Sequence, residues 1–215
     1  MLQTSRTVIR TAGWAMSLLA VTTVALAFDS STPKGTAKMF AKAVEAGDGV
    51  TAKSLAVGTP TGMKFIEGLA GIAKAQKGLE AAATKKFGKE GASLTKGQTM
   101  KIPDTDKSIE KITGDKATLT QPDGKGQPMT LKKVGGKWKV DISAMGKDPK
   151  QADAMMTQIG SMFVSMTKAM NDTTTDVNAG KFKTVKEAQA GMQAKMMAVL
   201  GGGPGGARPG GAPRK

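Results

Sequence analysis

Cysteine, histidine and tyrosine are absent from all 215 residues of the chain, and aromatic residues make up only 4%. Without cysteine the chain can form neither a disulfide nor a thiolate metal site, and without histidine it lacks the commonest general base and transition-metal ligand. These absences exclude Ser-His triads and thiol catalysis. An enzyme built from this sequence would have to use Asp, Glu, Lys, Ser and Thr alone.

Arginine is missing from the whole stretch between Phe28 and Leu200, although the formal net charge of the chain is +15. Every basic residue there is Lys, a solvated point charge that lacks the bidentate geometry of Arg. The composition favours a solvated, Lys-rich surface over a dedicated nucleic-acid site. The 15 methionines indicate a soft interior, because the flexible Met side chain fills irregular space.

Residues 1–27 have the pattern of an export signal. Two early arginines precede an apolar stretch, and Ala25-Leu26-Ala27 provides the small-x-small site for signal peptidase. The apolar stretch is short and interrupted by Thr, whereas a membrane span needs about 20 apolar residues. We predict cleavage after Ala27, a periplasmic or extracellular location and no integral membrane span after cleavage. An uncleaved anchor is the alternative.

Helical signals dominate the next sixty residues. Thr32-Pro33 predicts an N-cap followed by Pro at the first helical position, and apolar residues then recur at helical spacing. A short second helix over about 50–57 and a third over about 61–87 follow. Within the third helix, Gly68, Gly71 and Gly78 each lower stability by about 1 kcal/mol relative to Ala.

After Ser93, dense turn signals separate short runs with the alternation of β-strands. The runs are Ser108–Thr113, Ala117–Gln121, Gln127–Val134 and Lys137–Ser143. In the last run Trp138 alternates with lysines, so the pattern predicts a buried Trp138 on the inner face of the final strand. Gly135-Gly136 before this run indicates a tight hairpin.

A second helical region is predicted from Asp148, the expected N-cap, to about residue 170. Its apolar stripe consists of Ala152, Met155, Met156, Ile159, Met162, Phe163, Met166 and Met170. Residues 171–181 are interpreted as a polar loop, and Thr184-Val-Lys-Glu187 as the capping box of a final helix to about Leu200. Residues 201–215 contain only Gly, Pro, Ala, Arg and Lys, which indicates a disordered basic tail.

Two segments resemble the nuclear transport factor 2-like superfamily, which includes the SnoaL-like and ketosteroid-isomerase-like cones. Residues 32–48 resemble the opening helix of its exported bacterial members, and Gly135-Gly-Lys-Trp-Lys-Val-Asp141 resembles its closing hairpin strand. The resemblance covers about residues 32–143. It implies an α+β fold in which helices are followed by a curved antiparallel sheet that forms a cone with a pocket. It implies no catalytic residue, because no catalytic motif of the superfamily is present.

The region after Asp148 has no counterpart in the minimal domain of that superfamily, so we predict an appended C-terminal helical hairpin. The predicted organisation is a signal peptide over 1–27, a cone-like domain over 28–147, a helical extension over 148–200 and a disordered tail over 201–215.

Three groups of residues are candidates for chemistry. Asp104 and Asp106 are interpreted as turn residues rather than paired catalytic carboxylates. Asp172, Asp176 and Asn178 share one predicted loop, but that loop lacks the Gly and bidentate Glu of a calcium site. Asn171 begins an N-x-T sequon, relevant only if the source glycosylates exported proteins.

The third group is Met162, Met166 and Met170, whose thioethers suit Cu(I). We favour their packing in the core, because no Cys or His completes a site.

Three functions remain open on the sequence. We predict an exported, non-enzymatic binding or accessory module of the cell envelope or periplasm, without a cofactor, whose partner is a small ligand or an envelope protein. The first alternative is a small-molecule enzyme that uses an Asp or Glu in the pocket of the cone. The second is a Lys-rich protein that associates weakly and non-specifically with polyanions. A pocket carboxylate with a raised pKa would favour the enzyme, and a continuous Lys face would favour the polyanion.

Overall fold

A computed structural model describes residues 31–96, 104–144 and 149–201 of the chain. The predicted signal peptide, its cleavage site, the N-cap Asp148 and all but the first residue of the predicted tail lie outside these ranges. The α-helices are α1 (Pro33–Ala46), α2 (Gly49–Ser54), α3 (Pro60–Phe87), α4 (Pro149–Asn178) and α5 (Val185–Gly201). The strands are β1 (Ala56–Val57), β2 (Ile109–Thr113), β3 (Lys116–Thr120), β4 (Met129–Val134) and β5 (Lys137–Asp141). The chain is therefore α+β, as predicted.

The first helices begin where the capping signals predict. The Thr32 side chain accepts a hydrogen bond of 3.1 Å from the Gly35 amide at the start of α1. Thr59 caps α3 in the same way, accepting from the Gly62 amide at 3.2 Å. These bonds satisfy amides that have no partner within the helix, and Pro at the first helical position needs none.

The three glycines do not interrupt α3, which is continuous over 28 residues. One of them, Gly68, lets α4 approach closely: a Cβ placed on it would lie 3.3 Å from the Cβ of Phe163. The glycine thus lowers helix propensity but permits a close helix contact.

The strands form one sheet in the order β1-β5-β4-β3-β2. Strands β2 to β5 are an antiparallel meander, as predicted, and Gly135 and Gly136 connect β4 to β5 with φ angles of 57° and 78°. Glycine adopts such positive φ angles without steric cost, which suits a tight two-residue hairpin. The prediction of a wholly antiparallel sheet is wrong for β1, which pairs parallel with β5 through Ala56 and Val140.

Side chains on the inner face of the sheet are buried against the helices. Trp138 is only 6% exposed, which confirms its predicted place in the core, and Leu131 is fully buried. Both belong to a cluster with Phe40 and Val44 of α1. The alternation along β5 thus identified the buried face correctly.

Helices α3 and α4 are parallel neighbours along most of their length. Near their N-termini Thr59 Oγ1 donates to Asp153 Oδ1 at 2.7 Å. Further along both helices, the Phe65 and Phe163 rings lie 5.3 Å apart between centroids. Later residues of α3 contact later residues of α4, so the two helices run in the same direction. The whole meander lies between them in the sequence.

The predicted loop over 171–181 is wrong, because α4 continues to Asn178. The hydroxyls of Thr173, Thr174 and Thr175 each donate to the carbonyl four residues earlier, at 2.7, 2.8 and 3.1 Å. Their polar groups are therefore satisfied inside the helix. Thr173 and Val177 are also buried, so packing favours the helical state of this polar segment.

The final helix has the predicted capping interaction. The Glu187 amide donates to Thr184 Oγ1 at 3.2 Å, and the Glu187 carboxylate accepts from the Lys183 amide at 2.7 Å. Helix α5 contributes Ala188 and Met192 to a second buried cluster with the C-terminal halves of α3 and α4. Ala152 and Met156, at the start of α4, belong instead to the cluster of the sheet. The division between domains at residue 147 stays a prediction.

Candidate ligand cavity

A cavity of about 340 Å³ lies between the inner face of the sheet and helices α1 and α3. Its lining is mainly apolar. The apolar lining residues are Phe40, Phe65, Ile66, Leu69, Leu119, Pro128, Met129, Val140, Ile142 and Met155.

The periodicity of the β-strands and that of the α-helices explain which side chains line the cavity. Leu119 and Met129 are cross-strand partners, so both side chains lie on the inner face of the sheet. Phe65 and Leu69 are one turn apart on α3 and therefore share the helix face towards the sheet. An apolar surface from each element encloses the space.

Neutral polar groups lie at one part of the cavity wall. The Gln121 amide nitrogen donates to Ser108 Oγ at 2.9 Å, and Ser108 Oγ donates to the Asp104 carbonyl at 3.1 Å. Thr105 and Ser108 are both buried and line the cavity. These groups offer hydrogen bonds without charge, which suits a polar, uncharged end of a ligand.

Among the described lining residues, Asp141 alone carries a charge. Alternation along β5 places its side chain on the face opposite to that of Val140. Its carboxylate accepts a hydrogen bond of 3.0 Å from the Ser143 amide. In the part of the chain that the structure describes, the cavity therefore presents no acid–base pair for catalysis.

Asp104 and Asp106 lie in the turn before β2 and are exposed. Asp104 accepts the backbone amide of Asp106 at 3.0 Å, which is the turn role predicted for it. The hydrogen bond from the Lys38 ammonium, at 2.5 Å, is the main reason that the pKa of the Asp106 carboxyl is lowered. The two carboxylates thus serve the turn and its contact with α1.

The residues considered for a calcium loop lie on α4 instead. Asp172 pairs with Lys168 at 2.5 Å. Asp176 pairs with Lys181 at 2.7 Å and with Lys195, and hydrogen bonds from these two ammonium groups, Lys181 first, lower the pKa of its carboxyl. The described residues include no cluster of three or more His, Cys, Asp or Glu able to hold a metal ion.

The three methionines proposed for copper differ in burial. Met170 is fully buried, Met166 is half-buried and Met162 is 39% exposed. The expectation that all three pack in the core is therefore wrong for Met162, which lies on the solvent side of the α3–α4 contact. Met166 and Met170 instead pack in one cluster with Met192 and Met196 of α5.

Sequence reasoning missed the polar residues of the cavity. Thr105, Ser108 and Gln121 are ordinary turn and strand-end residues with no motif around them. Only the pairing of β2 with β3, which brings Ser108 beside Gln121, places them together.

No protein-family model, curated protein or solved structure matches the chain. Among the described residues, no helix is both long and apolar enough to cross a membrane.

Proposed function

We propose that this protein is an exported, non-enzymatic binding module whose cavity holds a small, mainly apolar and uncharged ligand. The observation that carries this proposal is the cavity of about 340 Å³ between the sheet, α1 and α3. Its volume falls in the range of about 300–1,000 Å³ that is usual for small-molecule sites.

The chemistry of the wall supports the choice of ligand. An apolar body gains by leaving water for the Phe, Leu and Met side chains. A charged group would lose its hydration without finding an opposite charge, since Asp141 faces away. A hydroxyl, carbonyl or amide would find partners at Ser108 and Gln121.

The proposal of a cone has partial support. Helices precede the meander, and the cavity lies between helices and sheet, as in the nuclear transport factor 2-like superfamily. The parallel strand β1 departs from a purely antiparallel cone. We propose that the predicted domain over 28–147 forms such a cone and that the extension over 148–200, with α4 and α5, is its appended hairpin; superposition of an experimental structure on a family cone tests this.

Export rests on the pattern of residues 1–27. Protein recovered from the periplasm or medium should begin at Phe28 by N-terminal sequencing. Membrane-bound protein that retains Met1 would contradict cleavage but leave the cavity proposal intact.

Ligand binding can be tested with a neutral fluorescent probe, N-phenyl-1-naphthylamine, because a charged probe would also bind surface lysines. The natural protein should bind one equivalent. Met129→Trp adds bulk on the inner face of β4, where Met129 lines the cavity, and should weaken binding by at least about tenfold.

The matched control is Val164→Trp on α4, where the side chain is 67% exposed. This variant adds the same indole outside the cavity and should bind the probe like the natural protein. Circular dichroism establishes that both variants are folded. Equal affinity of Met129→Trp and Val164→Trp would refute the cavity as the binding site.

A further inference from the structure

The face of the sheet away from the helices carries lysine on each of four successive strands, with two, Lys137 and Lys139, on β5. The pairing places Lys139, Lys132 and Lys116 side by side on β5, β4 and β3. Lys111 of β2 is on the same face but pairs with Thr118, two residues after Lys116 on β3, so it is a diagonal neighbour of Lys116. We call these four residues the outer-face lysine row. With neighbouring strands about 4.8 Å apart, the row crosses the sheet over roughly 14 Å.

The positive charge of this row is not neutralised within the described part of the chain. Lys111, Lys116 and Lys132 are exposed and form no ion pair there. Lys139 is half-buried and donates to the Ser54 carbonyl, which leaves its full charge in place. Of the strand residues on this face, Asp141 at the end of β5 is the acidic one.

The row weakens the sheet that carries it. Like charges directly opposite each other on neighbouring strands repel, and Lys132 has a lysine on both sides. An anion bound across the row would remove this repulsion. The arrangement is therefore better suited to a protein with a bound polyanion than to one without.

Other features of this face restrict which kinds of anion it can bind. Its strand positions hold no aromatic side chain, because Trp138 lies on the inner face, so it has no platform on which bases could stack. No Arg occurs in the described chain to read a phosphate or base edge bidentately. Its two exposed apolar residues, Ile109 and Val134, lie on different strands and form no patch for insertion into lipid. Thr118 and Thr130 add hydroxyls beside the lysines.

We propose that the outer-face lysine row binds a linear polyphosphate chain that lies across the strands. Such a polymer offers closely repeated charges along a backbone without rings, which matches a line of point charges and hydroxyls. None of the four lysines lines the cavity, and the proposal does not depend on what the cavity binds.

The test measures binding of long-chain inorganic polyphosphate to the purified protein at several salt concentrations. The outer-face variant carries Lys111→Gln, Lys116→Gln and Lys132→Gln. The control variant carries Lys64→Gln, Lys77→Gln and Lys85→Gln, three exposed lysines of α3 that form no ion pair with described residues. The two variants have the same net charge and the same basic C-terminal residues.

The outer-face variant should bind at least about tenfold more weakly, and its slope of log affinity against log salt should fall by about 2, because three phosphate contacts are lost. The control should stay within about threefold of the natural protein. The melting temperature of the outer-face variant should not decrease, which separates lost binding from lost folding.

Three results would each overturn the proposal. The first is that the natural protein does not bind polyphosphate. The second is that the outer-face and control variants lose the same affinity. The third is that the outer-face substitutions weaken binding only to single-stranded DNA, an acidic polysaccharide or phosphatidylglycerol vesicles. Any of these would show that the row is general surface charge or a site for another class of partner.

Discussion

Replacing Phe163 by Ala should remove the main aromatic contact between the two long parallel helices. Phe163 is 5% exposed, and its ring centroid lies 5.3 Å from that of Phe65. Truncation of a buried Phe costs about 3–5 kcal/mol. Phe65 lines the cavity and can shift into the space that Phe163 leaves. The cost should therefore lie at the lower end of this range, at about 3 kcal/mol. That is a large part of the roughly 5–15 kcal/mol that stabilises a typical domain.

Urea unfolding of protein that begins at Phe28, where Trp138 is the sole Trp, measures this loss by fluorescence, because Trp138 is buried in the folded protein and becomes hydrated on unfolding. The matched control is Val164→Ala at the next position of the same helix, where the side chain is 67% exposed. It should change the free energy of unfolding by less than about 0.5 kcal/mol. If Phe163→Ala were as mild as Val164→Ala, the packing of α4 on α3 would be refuted.

Three further predictions concern charge and sulfur. Lys132→Thr should raise the free energy of unfolding by about 0.5 kcal/mol by removing two like-charge neighbours, with a smaller gain in high salt; urea unfolding at low and high salt measures this, and a loss of stability would contradict it. Hydrogen bonds from lysine ammonium groups lower the folded pKa of Asp176 below its usual 3.8. The stability they provide is therefore present at neutral pH and is lost as the pH falls below 3.8 towards the folded value, so Asp176→Asn should show a flatter acid dependence than the natural protein; parallel curves would refute this. Leucine at all three candidate copper positions should cost under about 1.5 kcal/mol per site and leave melting unaffected by Cu(I) under reducing conditions. A rise in melting temperature with Cu(I) in the natural protein alone would establish ligation by Met162, Met166 and Met170.

Much of the local structure could be predicted because its signals lie within a few residues of their effects. Thr32, Thr59 and Thr184 cap helices through bonds to amides three residues away. The Gly135-Gly136 turn and the alternation around Trp138 likewise act within one hairpin. Caps, turns and strand alternation need no knowledge of the rest of the chain.

The candidate site was much less predictable. The resemblance to the cone superfamily implied a pocket, but no pattern singled out Ser108 or Gln121 as its polar residues. Their contact depends on the pairing of two strands. The lysine row has the same origin, since the sequence shows alternating lysines while the register decides which of them are neighbours.

The sequence by itself determined the α+β class, most helix starts, the meander and the burial of Trp138, because short-range hydrogen bonds and periodicity specify them. Only the tertiary structure decided how far α4 extends, where β1 pairs and which methionines are buried. Thr173 and Val177 are helical because they pack in the core, and Met162 is exposed because α3 covers a different stripe of α4. Such outcomes depend on contacts between residues distant in sequence, whose energies exceed local propensity and cannot be read from one segment alone.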